Sequence, residues 1–259
     1  MSIRGRARVR SKKQPRTSRG ARHKTIGILG GMGPEATAYF FDLIVRNTEA
    51  GRDGEHVPII IRSDPRVPDR TEAVLHGGPS PVPMLRAGLK ALERAGADII
   101  VMPCVTAHYF LKDIAAGMSV SFINLLDEAR KYTLAAVPGI RKIGLIATTG
   151  TVRTEIVRDA FARSGIEVII PGQDEQEKVM EAVYGKRGIK AGFTTEQLRR
   201  TIIAIAGDLV RHGAEAIMAG CTEIPLVLRQ EDLTVPFIEP LRIGALTCIK
   251  KAGYQVRKT

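Results

Sequence analysis

The chain has 259 residues, 44% of them hydrophobic and 25% charged, a globular composition sufficient for one large domain or two ordinary ones. Its apolar runs fall well short of a bilayer crossing, which argues against a helical membrane span. The formal charge of +12 would suit a nucleic-acid binder if it were spread over the molecule, but it is not.

Residues 1–24 carry ten of the 39 Lys and Arg and no acid, leaving 29 basic against 27 acidic residues for the rest. The body is nearly neutral, and the charge belongs to a tail. Little apolar content and many like charges predict disorder over 1–24, a segment suited at most to weak contact with polyanions or anionic lipid. Its Arg-rich, acid-free make-up also fits an organelle transit peptide, whereas the apolar stretch of a secretory signal is missing. Cys104, Cys221 and Cys248 make no disulfide framework. Free thiols point to a reducing compartment, taken as the cytoplasm.

From residue 25 onward, short apolar runs alternate with amphipathic stretches. "TIGILG" (25–30) reads as a strand that runs into "GMGPEA" (31–36), and "VPIIIRS" (57–63) reads as a second. "VPDRT" (67–71) reads as a loop and "PVPMLRAGLKALERAG" (81–96) as a helix. The strand "DIIVMP" (98–103) ends on Cys104, and "VSFIN" (120–124) closes the first half of the chain. Next come the strands "KIGLIAT" (142–148) and "EVIIP" (167–171), then a loop "YGKRGIKAG" (184–192). The helix "EQLRRTIIAIAGDLVRHG" (196–213) leads to the strand "EAIMAG" (215–220), which ends on Cys221. "VPFIE" (235–239) precedes an amphipathic C-terminal helix, where core packing accounts for Cys248.

Continuously apolar strands between helices predict βα units around mainly parallel sheets, covered on both faces. The chain also matches itself. Ile26-Gly27 pairs with Ile143-Gly144 at a spacing of 117, as do Gly96-Ala97 with Gly213-Ala214 and Cys104 with Cys221. "VSFIN" pairs with "VPFIE" at 115. The expected fold is therefore α/β, two similar Rossmann-like or flavodoxin-like half-domains related by pseudo-symmetry. Their expected boundaries are 25–124 plus 240–259 for the first half and 125–239 for the second.

Ligands of open α/β sheets bind beyond the carboxyl ends of the strands, where both cysteines fall. Facing halves would place the thiols on opposite walls of one cleft. Thr106 and Thr222, just after them, are expected to cap the helices that follow, whose N-termini favour thiolate and attract carboxylate. A thiolate on one face of a bound carboxylic acid can remove the α-proton while a thiol on the other face returns one, inverting the centre. Backbone N–H groups around the carboxylate would stabilise the carbanion.

At these motifs the chain resembles the aspartate/glutamate racemase superfamily, and within it the pyridoxal-phosphate-independent aspartate racemases. The likeness runs over residues 24–256 through "IGILGGMGPEAT", "VPDRT", "GADIIVMPCVTAH", "IGLIATTGT", "KAG" and "AGCTEIPLVL". It implies a cofactor-independent amino-acid racemase, commonly homodimeric, working without metal and with Cys104 and Cys221 as the two acid/base residues. It implies side-chain-carboxylate contacts from Arg70 and Lys190. Thr106, Thr222 and the backbone at Met32, Gly33 and Pro34 would surround the α-carboxylate and amino group, and Glu223 joins the substrate-binding set. Where the family usually reads Cys-Asn-Thr, this chain has Val105, which offers no side-chain hydrogen bond. Asp64, where the aspartate branch often has Asn, adds a negative charge that would disfavour an acidic substrate.

Four rival readings carry less. A relative with the same cleft could be a decarboxylase or a cis–trans isomerase of a small dicarboxylate. A non-catalytic protein could use its tail on polyanions. "GMGPEA" fits a dinucleotide fingerprint only formally, because Pro34 removes an N–H from the turn. Cys104, His108, Cys221 and Glu223 lack metal-finger spacing, and a structural hydrogen bond accounts better for His108.

Overall fold

The computed structural model describes residues 23–258. Most of the tail, residues 1–22, lies outside the described residues, and with it the expectations of disorder, targeting and polyanion contact. The last two tail residues are held in place. The Lys24 N–H donates to the Ala252 carbonyl at 3.0 Å, and the His23 ring tilts over Tyr254 at 4.2 Å.

Two four-stranded sheets, each parallel throughout, organise the chain. The first holds β1 (Ile26–Gly30), β2 (Ile59–Ser63), β3 (Ile99–Val101) and β4 (Ser121–Ile123), in the order β2-β1-β3-β4. The second holds β5 (Lys142–Ile146), β6 (Glu167–Ile169), β7 (Ala216–Ala219) and β8 (Phe237–Ile238), in the order β6-β5-β7-β8. The order is the same in both, as the internal repeat requires. Strand β1 is buried throughout because it pairs on both edges, Ile26 with Ile59 and with Ile99.

Helices cover both sheets. Those of the first part are α1 (Pro34–Asn47), α2 (Arg70–Leu75), α3 (Val82–Arg94), α4 (Leu111–Ala115) and α5 (Leu125–Ala136). The second part has α6 (Thr149–Arg153), α7 (Ile156–Ala162), α8 (Gln173–Tyr184), α9 (Glu196–Arg211) and α10 (Pro240–Lys251). None of the described helices is long and apolar enough to cross a membrane.

The matched residues of the repeat do the same physical work twice. A Cβ on Gly27 would lie 2.8 Å from the Ala97 Cβ and 3.4 Å from the Leu92 Cβ. A Cβ on Gly144 would lie 3.2 Å from the Ala214 Cβ and 3.0 Å from the Leu209 Cβ. In each half, a glycine on the central strand lets the helix before the next strand press onto the sheet. Gly96 and Gly213 end those helices in the left-handed region, φ 95° and 94°, which costs glycine no Cβ clash.

Helix α10 packs back across the chain. Leu241, Ala245, Cys248 and Ile249 share one core with Ile26, Phe40 and Ile44, while Ile243 joins the core of Leu126, Ile143 and Phe161. Cys248 is fully buried among apolar neighbours, which pushes its thiol well above the ordinary range.

Candidate active site

Both sheets deliver a cysteine just past the end of their third strand. β3 stops at Val101 and the chain turns through Met102 and Pro103, where the Cys104 N–H donates to the Met102 carbonyl at 2.8 Å. β7 stops at Ala219, and Gly220 leads directly to Cys221. The two cysteines are 5% and 7% exposed and line one small cavity together with Met32, Arg70, Lys190 and Glu223. The space between them is about 10 Å³, room for roughly one water. A wider vestibule of about 560 Å³ adjoins it through the same Met32, Arg70, Lys190 and Glu223, with Gly33 and Pro34 on its wall.

Glu223 is the hub of the second wall. It is 2% exposed, and its Oε1 accepts the Lys190 ammonium at 2.8 Å and the Gly33 N–H at 3.1 Å. Its Oε2 accepts the Cys221 thiol at 3.0 Å and the Thr222 hydroxyl at 3.3 Å. Burial and then the Glu223 charge push the Cys221 thiol well above its ordinary pKa, and Lys190 offsets this in part. Burial opposes the Lys190 charge most strongly, but Glu223 and the two cysteine sulfurs together outweigh it and the ammonium is held above its usual pKa.

Arg70 forms the other wall. "VPDRT" is not a loop throughout: Asp69 accepts the N–H groups of Thr71 and Glu72 at 2.7 and 3.0 Å, and Arg70 opens α2. The guanidinium donates to the carbonyls of Met32, Pro68 and Val67 at 3.2, 3.1 and 3.3 Å. Its buried Nε has no partner among the described residues. Burial opposes this charge too, but the Cys104 sulfur and the Asp69 carboxylate raise the Arg70 pKa above its ordinary value. Lys190 likewise sits in a single turn of 3-10 helix, Ile189–Ala191, rather than in an irregular loop.

The threonines are not helix caps. Val105 precedes a 3-10 helix that begins at Thr106, and the Thr106 hydroxyl pairs instead with the Thr151 hydroxyl of the second half at 2.7 Å. Thr222 turns its hydroxyl to Glu223. No long helix starts at either cysteine, so the macrodipole argument for thiolate lapses. Buried side-chain partners set the local electrostatics instead.

Contacts bear directly on His108, Asp64 and Val105. The His108 ring accepts the Leu125 N–H at Nε2, so its proton sits on Nδ1 and is donated to the Cys104 carbonyl at 2.8 Å. Burial lowers its pKa to about 4, and the ring is a neutral structural strut. Among the described residues, no group of three or more His, Cys, Asp or Glu is disposed to hold a metal. Asp64 faces Arg66 at 2.9 Å and Arg62 at 3.7 Å, outside the lining of the cavity; the Arg66 hydrogen bonds hold its pKa near 2. Its charge is neutralised locally rather than presented to a substrate. Val105 lines the cavity yet is 1% exposed, in the core that contains Leu126 and Ala129.

Sequence reasoning missed Thr148 and Tyr184, which also line the cavity. Moving 117 positions on from Gly31 lands on Thr148, so the repeat could have exposed that residue. Tyr184 has no such signal. It ends α8 and donates to Asp69 Oδ2 at 3.0 Å, and burial pushes its hydroxyl far above the ordinary pKa.

Known proteins share this fold. The family described as Asp/Glu/Hydantoin racemase matches residues 29–248. An aspartate racemase from Picrophilus torridus is 31% identical, covering 91% of this chain and 96% of its own, with a TM-score of 0.81. An aspartate racemase homologue from Pyrococcus horikoshii is 25% identical, covering 88% and 99%, with a TM-score of 0.71. The broad specificity amino-acid racemase RacX of Bacillus subtilis is 26% identical over 220 residues, 83% of this chain and 92% of its own.

Proposed function

The chain belongs to the Asp/Glu/hydantoin racemase family, and from that premise we propose that it is a cofactor-independent amino-acid racemase of the aspartate or glutamate type. The observation that carries this reading is that two buried thiols, one following a strand of each sheet, line a single cavity together with a buried arginine and a half-buried lysine.

The substrate's α-carbon would sit between Cys104 and Cys221. A thiolate on one wall takes the α-proton, the planar carbanion forms, and the thiol of the opposite wall returns a proton to the other face. Arg70, with its unpartnered Nε, and Lys190 receive the side-chain carboxylate. Met32, Gly33, Pro34, Thr106 and Thr222 surround the α-carboxylate and amino group. The apolar Val105 leaves one substrate polar group without a side-chain partner, so the preferred amino acid is the open variable within this reading. We take the chain as half-domains 25–124 plus 240–259 and 125–239, paired into a homodimer.

The test is a panel of enantiopure amino acids in D2O without added pyridoxal phosphate. Loss of optical activity with one deuterium at the α-carbon supports racemisation. Release of carbon dioxide, or isomerisation of a dicarboxylate double bond without inversion of any amino acid, refutes it.

A further inference from the structure

The largest block of positive charge in the chain has no part in racemisation. Both cysteines follow the carboxyl ends of their strands, whereas the basic tail, residues 1–24, runs into the amino end of β1. Helix α10 ends beside that same amino end, because the Ala252 carbonyl receives the Lys24 N–H at 3.0 Å. The C-terminal residues then pass the end of α1. The Arg257 N–H donates to the Asn47 carbonyl at 2.8 Å, and the Glu49 N–H donates to the Gln255 carbonyl at 2.9 Å. These contacts gather Lys24, Lys250, Lys251, Arg257 and Lys258 at the end of the fold away from the cleft. All five are exposed, and none forms a salt bridge among the described residues.

We propose that this end of the fold is a docking surface for the phosphodiester backbone of a nucleic acid, built jointly from the tail and from Lys250, Lys251, Arg257 and Lys258. The proposal goes beyond the racemase reading and does not depend on it. The tail by itself suits only weak contact. A polyanion held there meets four more exposed cations where the tail joins the fold, and each phosphate neutralised releases counterions. The nearby acids are partly engaged already. Glu55 receives Arg52 at 2.8 Å and the Gly51 N–H at 2.9 Å, and Asp98 receives the Thr25 N–H at 2.9 Å. Glu49 and Asp53 remain as the carboxylates that border the surface.

Composition favours a phosphodiester over a bilayer. Seven of the ten tail cations are arginines, whose planar fork meets phosphate oxygens two at a time. A stable membrane anchor adds apolar or aromatic insertion to charge, and residues 1–22 contain no Phe, Tyr or Trp. The same lack leaves no stacking platform for bases in the tail, so the surface reads backbone rather than sequence. Lys250 and Lys251 sit in the last turn of α10, where a cation complements the helix end in any case. Lys24, Arg257 and Lys258 lie outside any helix, and that structural role does not account for them.

The experiment is fluorescence anisotropy of the full chain with a labelled single-stranded RNA of about 20 nucleotides and, separately, a DNA duplex of about 20 base pairs. Between about 50 and 200 mM NaCl the affinity should fall about 100-fold or more. Binding to either probe supports the proposal, and the tighter one names the source of the backbone. Replacing Lys250, Lys251 and Lys258 together by Gln should weaken binding about 10-fold or more at the lower salt and flatten the salt dependence. Replacing Arg4, Arg6, Arg8 and Arg10 by Gln should do the same. Thermal melts of both variants should match wild type, which keeps folding out of the comparison. Absence of binding at the lower salt, or a lysine variant that binds as tightly as wild type, overturns the proposal. Tighter retention on vesicles of phosphatidylserine and phosphatidylcholine than on either nucleic acid overturns it too, and makes a bilayer the partner. Binding is read without turnover, so its failure and a failure to racemise are separate results.

Discussion

Tyr184 of the second half donates its hydroxyl to Asp69 of the first at 3.0 Å, and Asp69 in turn caps the helix that begins with Arg70. One carboxylate thus ties the mouth of the cleft to the placement of its buried guanidinium. Thr106 and Thr151 make a second bridge deeper in, at 2.7 Å. The space between the thiols holds roughly one water, so the two halves meet closely at this cavity.

Replacing Tyr184 by Phe keeps the ring and removes the bridge. The expected cost is about 0.5–1.5 kcal/mol of stability, measured by urea denaturation. Asp69→Asn should cost less through the bridge, because its side-chain oxygen still caps α2. A phenylalanine variant as stable as wild type would mean that the bridge contributes nothing to stability.

Cys104→Ser and Cys221→Ser should each lower racemisation at least about 100-fold, since proton transfer by a placed group is worth about that much. Each variant should still exchange the α-proton of one enantiomer for deuterium without inverting it. Nuclear magnetic resonance and polarimetry on the same samples separate the two rates. Full racemisation by either variant would end the two-thiol account.

His108 carries a pH dependence of stability unrelated to catalysis. Its folded pKa of about 4 lies below the ordinary value near 6.5, so the unfolded chain binds the extra proton first. The stabilisation is complete above about pH 6.5 and is lost as pH falls toward 4, in total about 2–4 kcal/mol. Denaturation midpoints at pH 7 and pH 4.5 should diverge in wild type more than in His108→Gln. Equal divergence would assign the acid sensitivity to other groups.

Gly27→Ala and Gly144→Ala should each destabilise by about 1–3 kcal/mol, because the new Cβ meets Ala97 at 2.8 Å or the Ile217 side chain at 2.8 Å. Gly54→Ala, with nothing within 4 Å, is the control and should be neutral within about 0.5 kcal/mol. Similar losses in the two halves, read from denaturant midpoints, would confirm that the repeated glycines do the same packing work.

The pairs Gly27 with Gly144 and Cys104 with Cys221 were legible from spacing alone, and with them two similar halves built on parallel sheets. That information is local: apolar runs, helix-ending glycines and a shared interval survive in one dimension. Long-range contacts do not. Arg70 and Lys190 stood out in the sequence only through family likeness, and nothing in the sequence singled out Tyr184. The threonines were misread as caps, because a hydroxyl chooses between a backbone N–H and a distant side chain only when both are in reach. By itself, the sequence determined the architecture and the two thiols. Only the tertiary structure decided their different surroundings, because the partners come from distant turns: Arg70 for Cys104, Lys190 and Gly33 for the Glu223 that holds Cys221. Burial beside a carboxylate changes the Cys221 thiol's chemistry, and no periodicity encodes such a neighbour.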